Sequence, residues 1–232
     1  MTKKTKLFMV VAMACIILSC VVVGRVTANS FVDETDLDEY LSQKNPKICY
    51  CEMGYDEDTN VGFVNGDKIQ DISDMMKEDT EVAKVRLKKE VKRSIYYECV
   101  LSSVEIEEMY QGSLEQGDVI SVFEPVDCRE TEIDCTDGYS LMQEEEEYIL
   151  FLKPLKNAGY DDGKYVYAPV STTYAKYLCS DSLPNLFTEE ELENPDTMFS
   201  YSERKDDEVY LHNQEMYEKY CKLKKQTMEL MQ

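Results

Sequence analysis

The sequence predicts a mainly β fold of the α+β type, a small closed barrel of five or six strands with peripheral helices. Within residues 81–155, four segments have the apolar periodicity of β-strands. Turns that contain Gly112 and Gly117 separate two of these segments. After Phe187 the periodicity becomes helical, and one apolar stripe runs to the end of the chain.

The first two predicted strands differ in length. Residues 83–88 alternate apolar with basic side chains, which predicts a half-buried strand with a basic outer face. The second strand spans residues 95–110, and its apolar phase changes at Ser102 and Ser103. A change of phase at two small polar residues predicts a β-bulge, which bends a strand sharply. Small barrels turn corners with long bent strands of this kind.

Three further strands follow. Residues 119–123 form a strand that ends at Pro125, and residues 128–143 are an acidic excursion. The apolar block at residues 148–152 predicts a strand that is buried on both faces. A turn then leads to the last strand, residues 165–167.

Two helices are predicted near the end of the chain. Thr188 and Glu191 form a capping box, Phe187 and Leu192 are placed as its hydrophobic staple, and a proline ends the helix. The second helix is amphipathic and begins near residue 209, so we expect it to pack on its own barrel. Its apolar stripe consists of Met216, Tyr220, Leu223, Leu230 and Met231.

The N-terminal segment predicts export. A lysine-rich start precedes residues 7–23, which contain no charged residue, and such a positive end stays on the cytoplasmic side of the membrane. Three outcomes remain open: cleavage after Ala28, retention as a membrane anchor, and lipidation of Cys20. All three place the rest of the chain outside the cytoplasmic membrane.

These patterns divide the chain into four parts. Residues 1–28 are the signal peptide or anchor, and residues 29–46 are an acidic tether in which a short helix is expected near Leu37. Residues 47–180 form the barrel. Residues 181–232 are a helical extension that packs on the barrel.

The charge balance argues against nucleic acid as a partner. The formal net charge is −22, and the first 25 residues hold four of the 25 basic residues and no acid, which leaves 21 basic and 47 acidic residues. This excess of carboxylates repels phosphate backbones and anionic lipid head groups. We therefore expect an unidentified protein partner, no nucleic acid, and contact with a membrane only through the N-terminal segment.

No catalytic residue and no cofactor follow from the sequence. His212 is the single histidine and lies outside the barrel segment, so a serine or cysteine nucleophile lacks a base. Glycine-rich phosphate loops are absent from the sequence. Carboxylates are so abundant that no pair stands out, which leaves a carboxylate-dependent extracellular enzyme as an alternative.

One segment has a weak calcium pattern. Asp56, Asp58, Asn60 and Asp67 have the spacing of an oxygen-ligand loop, although the position at which that loop requires glycine holds Val61. Acidic loops of exported proteins are usually solvated, so we predict no metal.

The tyrosines are numerous and clustered. The chain has 17 tyrosines and no tryptophan. Near the last predicted strand lie Tyr160, Tyr165, Tyr167, Tyr174 and Tyr177. Because tyrosine suits half-buried strands, we expect an aromatic cover on the barrel wall, with peptide or sugar contact as the alternative.

Five short motifs, taken in order, resemble a known family. They are Cys49-Tyr50-Cys51, residues 81–87, residues 104–112 running into a Tyr-x-Gly turn, residues 147–152, and Cys179 with its neighbours. Together they resemble the netrin-like domain, the OB-type barrel of tissue inhibitors of metalloproteinases and their bacterial relatives. The resemblance implies an OB-type Greek-key barrel.

The resemblance also implies disulfide staples. Cys49 would pair with Cys128 or Cys135, and Cys51 would pair with Cys179. The chain has no Cys-x-x-Cys pair, so a zinc ribbon is not expected. Seven cysteines follow the N-terminal segment, which leaves at least one unpaired in an exported chain.

The family's inhibitory members suggest an alternative function. Their first cysteine is the mature N-terminus, and its free amine and carbonyl chelate the zinc of the target protease. Cys49 lies well past Ala28, so this route requires a second cut before Cys49. We expect instead a non-catalytic extracytoplasmic interaction or structural module, with metalloprotease inhibition and the carboxylate-dependent enzyme as alternatives.

Overall fold

The computed structural model describes residues 35–53, 63–155 and 166–230. Strands account for 36% of the structure and helices for 22%, so the prediction of a mainly β fold is confirmed. No helix in these ranges is long and apolar enough to cross a membrane. The predicted export segment and Cys20 lie outside the described residues.

Eleven strands and four α-helices lie within the described ranges. The strands are β1 Thr35–Asp36, β2 Lys47–Cys51, β3 Glu81–Leu87, β4 Ser94–Tyr96, β5 Cys99–Gln111, β6 Val119–Glu124, β7 Val126–Cys128, β8 Glu132–Thr136, β9 Glu147–Pro154, β10 Val166–Pro169 and β11 Lys176–Leu178. The helices are α1 Leu37–Lys44, α2 Glu189–Glu193, α3 Tyr201–Arg204 and α4 Gln214–Glu229.

Five of these strands close a barrel. β3 pairs antiparallel with β5 and with β9, β5 pairs with β6, and β10 pairs antiparallel with β9 and parallel with β6. Around the barrel the strands follow the order β3, β5, β6, β10, β9, and the β6–β10 pair is the parallel one. This is a five-stranded Greek-key barrel of the OB type, so the predicted small barrel is confirmed.

Alternation along each strand fills the barrel. Ala83, Val85 and Leu87 point inward and are buried, as predicted for β3. The basic residues between them face outward and meet glutamates of the neighbouring strands. Lys84 lies 3.8 Å and Arg86 2.5 Å from the Glu147 carboxylate, so acidic partners cover the predicted basic face.

The β9 strand is buried on both faces, as predicted. Leu150 and Leu152 fill the barrel, while Ile149 and Phe151 pack outward in a second core that includes Leu223 of α4. We call this second core the barrel–helix core. The predicted docking of the C-terminal helix on its own barrel is therefore confirmed.

The predicted β-bulge at Ser102 and Ser103 is wrong. The pairing of β5 with β6 runs without a shift through Ser102, Ser103 and Val104. The register shifts lie instead where β5 pairs with β3, between Val82 and Ala83 and between Lys84 and Val85.

Apolarity alone does not identify the inward face of β5. Ser102 is fully buried on the inward face, although it is polar, because it donates a hydrogen bond to the buried Glu124 carboxylate. Ile95 belongs to a different strand, β4, which a turn at Tyr97 with φ of 52° separates from β5. The apparent change of phase therefore has two causes: Ile95 lies in a different strand, and Ser102 is a polar residue on the buried face.

A small sheet and three helices pack together against the start of β5. In this sheet β8 lies between β2, which is parallel to it, and β7, which is antiparallel. Its core also contains Phe187 and Leu192 of the predicted staple, and the capping box of Thr188 and Glu191 is confirmed. The folded unit begins at Thr35, ahead of the predicted barrel boundary, because Leu37 of α1 is fully buried in this core.

Candidate functional site

The most apolar opening among those with described linings lies between the barrel and the small sheet. We call it the barrel–sheet cleft. Its volume is about 430 Å³, which falls in the range of small ligand pockets. Its lining consists of Cys51, Met53, Phe63, Glu98, Cys99, Phe123, Pro125, Asp127, Arg129, Asp134, Thr136, Leu155 and Ala168.

Strand alternation positions both walls of the cleft. Phe123 of β6 and Ala168 of β10 lie on the barrel wall. On the opposite wall Cys51 and Thr136 are register partners of the β2–β8 pair, so their side chains share one face of the small sheet. The cleft thus lies on the outer face of the barrel's third strand, part of the surface through which OB barrels bind ligands.

An ion-paired arginine forms the polar side of the cleft. Arg129 Nε lies 3.1 Å from Asp127 Oδ2, and the same guanidinium donates to Asp134. Burial raises the pKa of Asp134, and the guanidinium opposes this shift. With Glu98, the lining holds three carboxylates and one guanidinium, so the cleft has a net negative charge.

An aromatic shelf extends from the cleft into solvent. The rings of Tyr96 and Phe123 lie 5.7 Å apart, and those of Tyr96 and Tyr97 lie 4.9 Å apart. Tyr97 is 74% exposed, the highest value among the exposed large apolar side chains in the described ranges. An exposed ring beside an apolar cleft is typical of a surface that contacts another molecule.

All seven cysteines in the described ranges are free thiols, and no disulfide is present among them. The register explains why the expected staples are absent. Cys49 pairs in register with Asp134, whereas Cys135 pairs with Tyr50, so Cys49 and Cys135 point to opposite faces of the small sheet. Cys128 shares the core face with Cys135. Cys179, the expected partner of Cys51, packs against the barrel–helix core, whereas Cys51 lines the cleft.

The thiols are poor nucleophiles at neutral pH. Burial raises the pKa of Cys49 and of Cys179 to about 11, and that of Cys99 and of Cys128 to about 12. A thiol reacts as its thiolate, and these shifts keep the thiolate fraction very small. The arrangement therefore does not favour cysteine chemistry.

A serine–lysine pair is present but inaccessible. Lys176 Nζ lies 3.0 Å from Ser140 Oγ, a distance at which a lysine could activate a serine. Both residues are buried, and neither lines a pocket among those formed by described residues. The pair thus belongs to the buried packing around Tyr139, Tyr148 and the Glu208 carbonyl.

His212 lies outside the barrel, as predicted. Its ring packs edge-on against Tyr50, with the centroids 4.3 Å apart, and its Nε2 lies 3.8 Å from Glu193 Oε1. The side chain is 20% exposed. Neither contact brings a serine, threonine or cysteine side chain to the imidazole.

Three of the four weak calcium candidates, Asp56, Asp58 and Asn60, lie outside the described residues. Asp67 lies in a 3-10 turn, where its backbone N–H donates to the Asn65 side chain. Within the described ranges no three acidic, cysteine or histidine side chains come together to hold a metal ion.

Three tyrosines of the predicted aromatic cover are buried. Tyr177 is fully buried, Tyr174 and Tyr167 nearly so, and the first two lie in the barrel–helix core. The interpretation of tyrosines as a cover on the barrel wall is confirmed for Tyr174 and Tyr177, whereas Tyr167 points into the barrel interior. Tyr160 and Tyr165 lie outside the described residues.

The segment before Cys49 is built into the fold. Leu37 and Ile48 are fully or almost fully buried, and the backbone N–H of Lys47 donates to Thr131 O at 2.9 Å. A free amine at Cys49 would require removal of α1 and of this part of β2. Zinc chelation by an N-terminal Cys49 is therefore at odds with the packing.

Most residues of the cleft were not predicted from the sequence. Residues 128–143 were interpreted as an acidic excursion, yet they contain Arg129, Asp134 and the whole of β8. The available signal was the alternation of Ile133 and Cys135, which are buried, with Asp134, which faces the cleft.

Comparison of the chain with protein-family models, with curated proteins and with solved structures finds no match. The fold by itself defines a class. It is a small OB-type barrel protein with a three-stranded sheet and helices packed on the barrel.

Proposed function

We propose that the chain is a non-catalytic extracytoplasmic protein of netrin-like OB fold that binds another protein at the cell surface. The observation that supports this proposal most is the barrel–sheet cleft with its aromatic shelf. The cleft is apolar, opens on a face that OB barrels use for binding, and continues into the exposed ring of Tyr97.

The composition of the cleft suits a protein partner better than a nucleic acid. Tyrosine, phenylalanine, methionine and arginine are enriched in protein interfaces, and Tyr97, Phe123, Met53 and Arg129 lie here together. Three carboxylates in the lining would repel a phosphate backbone.

The extracytoplasmic location rests on the N-terminal sequence. The lysine-rich start and the uncharged residues 7–23 have the pattern of an export segment. A fusion of residues 1–34 to a reporter that is active only outside the cytoplasm would test it. We expect reporter activity, and its absence would contradict the location.

Capture of a partner at the native cell surface tests the proposed binding site. The tagged full chain is compared with Tyr97→Ala, Phe123→Ser and, as a control, Leu183→Ser, which alters an exposed apolar residue outside the cleft. We expect the same protein to be captured by the wild type and by the control. Recovery should fall at least tenfold, about 1.4 kcal/mol, for Phe123→Ser.

Tyr97→Ala distinguishes a loss of binding from a loss of folding. The Tyr97 ring is mostly exposed, so its removal should leave the unfolding midpoint unchanged. We expect recovery to fall for this variant as well. Equal recovery by all four chains would show that the partner binds elsewhere.

A further inference from the structure

The lining of the barrel–sheet cleft is divided by chemistry. One side is apolar and consists of Met53, Phe63, Phe123, Pro125, Leu155 and Ala168. The other side holds the charged groups Glu98, Asp127, Arg129 and Asp134. A ligand that fills the whole cleft must therefore present an apolar group next to a polar or charged one.

The charged side favours a cation. Asp127 and Asp134 both contact the Arg129 guanidinium, so two donor sides of Arg129 are already occupied. One guanidinium offsets one of those two carboxylates, and Glu98 adds a third. An incoming carboxylate would meet this negative excess, whereas an ammonium or guanidinium group would be attracted to it.

The position of the third carboxylate strengthens this preference. Glu98 is exposed, and it follows Tyr97 directly in the turn between β4 and β5. A basic side chain that reaches Glu98 would also lie close to the faces of the aromatic shelf. Cations are attracted to ring faces, and an arginine can pair with a carboxylate while it stacks on a ring.

We infer that the barrel–sheet cleft binds a protein segment in which an apolar side chain is closely followed or preceded by arginine or lysine. The apolar side chain occupies the pocket beside Phe123, and the basic side chain reaches Glu98 at the rim. This inference rests on the proposed function and adds the chemistry of the partner. The strongly acidic charge of the chain would also accelerate the encounter with a basic partner.

Selection from a random peptide library displayed on phage tests the inference with the full chain as bait. We expect the enriched peptides to hold an apolar or aromatic residue within two positions of arginine or lysine. Binding of a selected peptide should weaken by about threefold to tenfold for Glu98→Gln and should decrease with added salt. Enrichment of acidic peptides, or of apolar peptides without a basic residue, would overturn the inference.

Glu229→Gln is the matched control, because it removes the same charge from an exposed position at the end of α4, outside the cleft. We expect it to leave the affinity for the selected peptide unchanged. Equal losses in Glu98→Gln and Glu229→Gln would show that only the net charge matters and would also overturn the inference.

The surface-capture assay separates the two proposals. If capture depends on Phe123 but not on Glu98 or on salt, the cleft binds a protein and the basic partner is wrong. If capture does not depend on Phe123, the proposed binding site fails together with the inference.

Discussion

Lys176 has an unusual environment for a lysine. It is 3% exposed, its amine donates to Ser140 Oγ and to Glu208 O at 3.0 Å each, and it lies over the ring of Tyr139, 4.9 Å from the centroid. Burial lowers its pKa to about 8, although nearby carboxylates, Glu124 first, oppose the shift. The free energy of unfolding must therefore depend on pH through this residue.

The sign of this dependence follows from proton binding. Between pH 8 and the ordinary pKa of 10.5 the unfolded chain holds a proton on Lys176 that the folded chain has released. The contribution of Lys176 to stability therefore rises with pH across this window. Below pH 8 the full cost of burying the charge is present.

Lys176→Met should remove that dependence. The difference in unfolding free energy between wild type and variant should change in favour of the wild type by about 2–3 kcal/mol from pH 7 to pH 10. Denaturant unfolding of both chains at several pH values measures it. The tyrosine and cysteine titrations are common to both chains and cancel in the difference. A difference that does not vary with pH would contradict the prediction.

A second buried charge lies at the end of β6. Arg93 donates to the fully buried Glu124 at 2.8 Å, and Glu124 also accepts from Ser102 and from the backbone N–H of Met142. The pair lies beside the Tyr139 hydroxyl, 3.4 Å from Glu124 Oε2. Loss of one partner would leave the other charged and without water.

Glu124→Ala should therefore destabilise the protein by about 3–5 kcal/mol, because it leaves the Arg93 guanidinium buried and unpaired. Ser102→Ala should cost about 1–2 kcal/mol, because the ion pair persists. Chemical denaturation gives both values. Similar costs for the two variants would show that the ion pair does not contribute as described.

At the scale of elements, α4 makes up one wall of the barrel–helix core. Tyr220 and Leu223 are fully buried there, and Lys224 is paired with Glu208 at 2.6 Å although both side chains are 4% exposed. Asn213 caps the helix by accepting from the backbone N–H of Glu215. The helix is thus fixed at its first turn and along one face.

Leu223→Ala should lower the unfolding free energy by about 2–5 kcal/mol, because it opens a cavity between α4 and the barrel. Glu229→Ala, an exposed change in the same helix, should stay within about 0.5 kcal/mol. Thermal or denaturant unfolding followed by far-UV circular dichroism compares them. If Leu223→Ala behaved like the control, α4 would not be docked.

The sequence predicted elements well where the apolar pattern was local. β3, β6, β9 and the capped helix α2 were found because their alternation or capping residues lie within a few positions of one another. The strands β7 and β8 were missed inside a segment rich in charge. Charged side chains such as Asp134 are compatible with a strand when an arginine from the neighbouring turn pairs with them, which no local pattern reveals.

At the scale of the whole molecule, the N-terminal part of the folded unit is required for packing. Leu37 and Ile48 are almost fully buried in the core of the small sheet, and the Tyr40 hydroxyl donates to Arg129 O at 2.5 Å. The contact with Arg129 also links α1 to the cleft. A cut before Cys49 would remove all three side chains.

A chain that begins at Cys49 should be less stable than one that begins at Thr35 by about 3–6 kcal/mol, from the lost burial of Leu37 and Ile48 at about 1.5–3 kcal/mol each. Unfolding of both chains by denaturant measures the difference. Equal stability would restore the protease-inhibitor alternative, because a free amine at Cys49 would then be compatible with the fold.

The sequence alone determined the fold class, since the period of two in residues 83–88 and 148–152 and the capping box at Thr188 are local consequences of backbone geometry. Tertiary structure decided the rest. Closure depends on the parallel pairing of β6 with β10, and the cleft combines side chains from Cys51 to Ala168. Pairing between strands far apart in the chain leaves no periodic trace in either segment. The register of this pairing determines which face of the sheet each cysteine and carboxylate occupies.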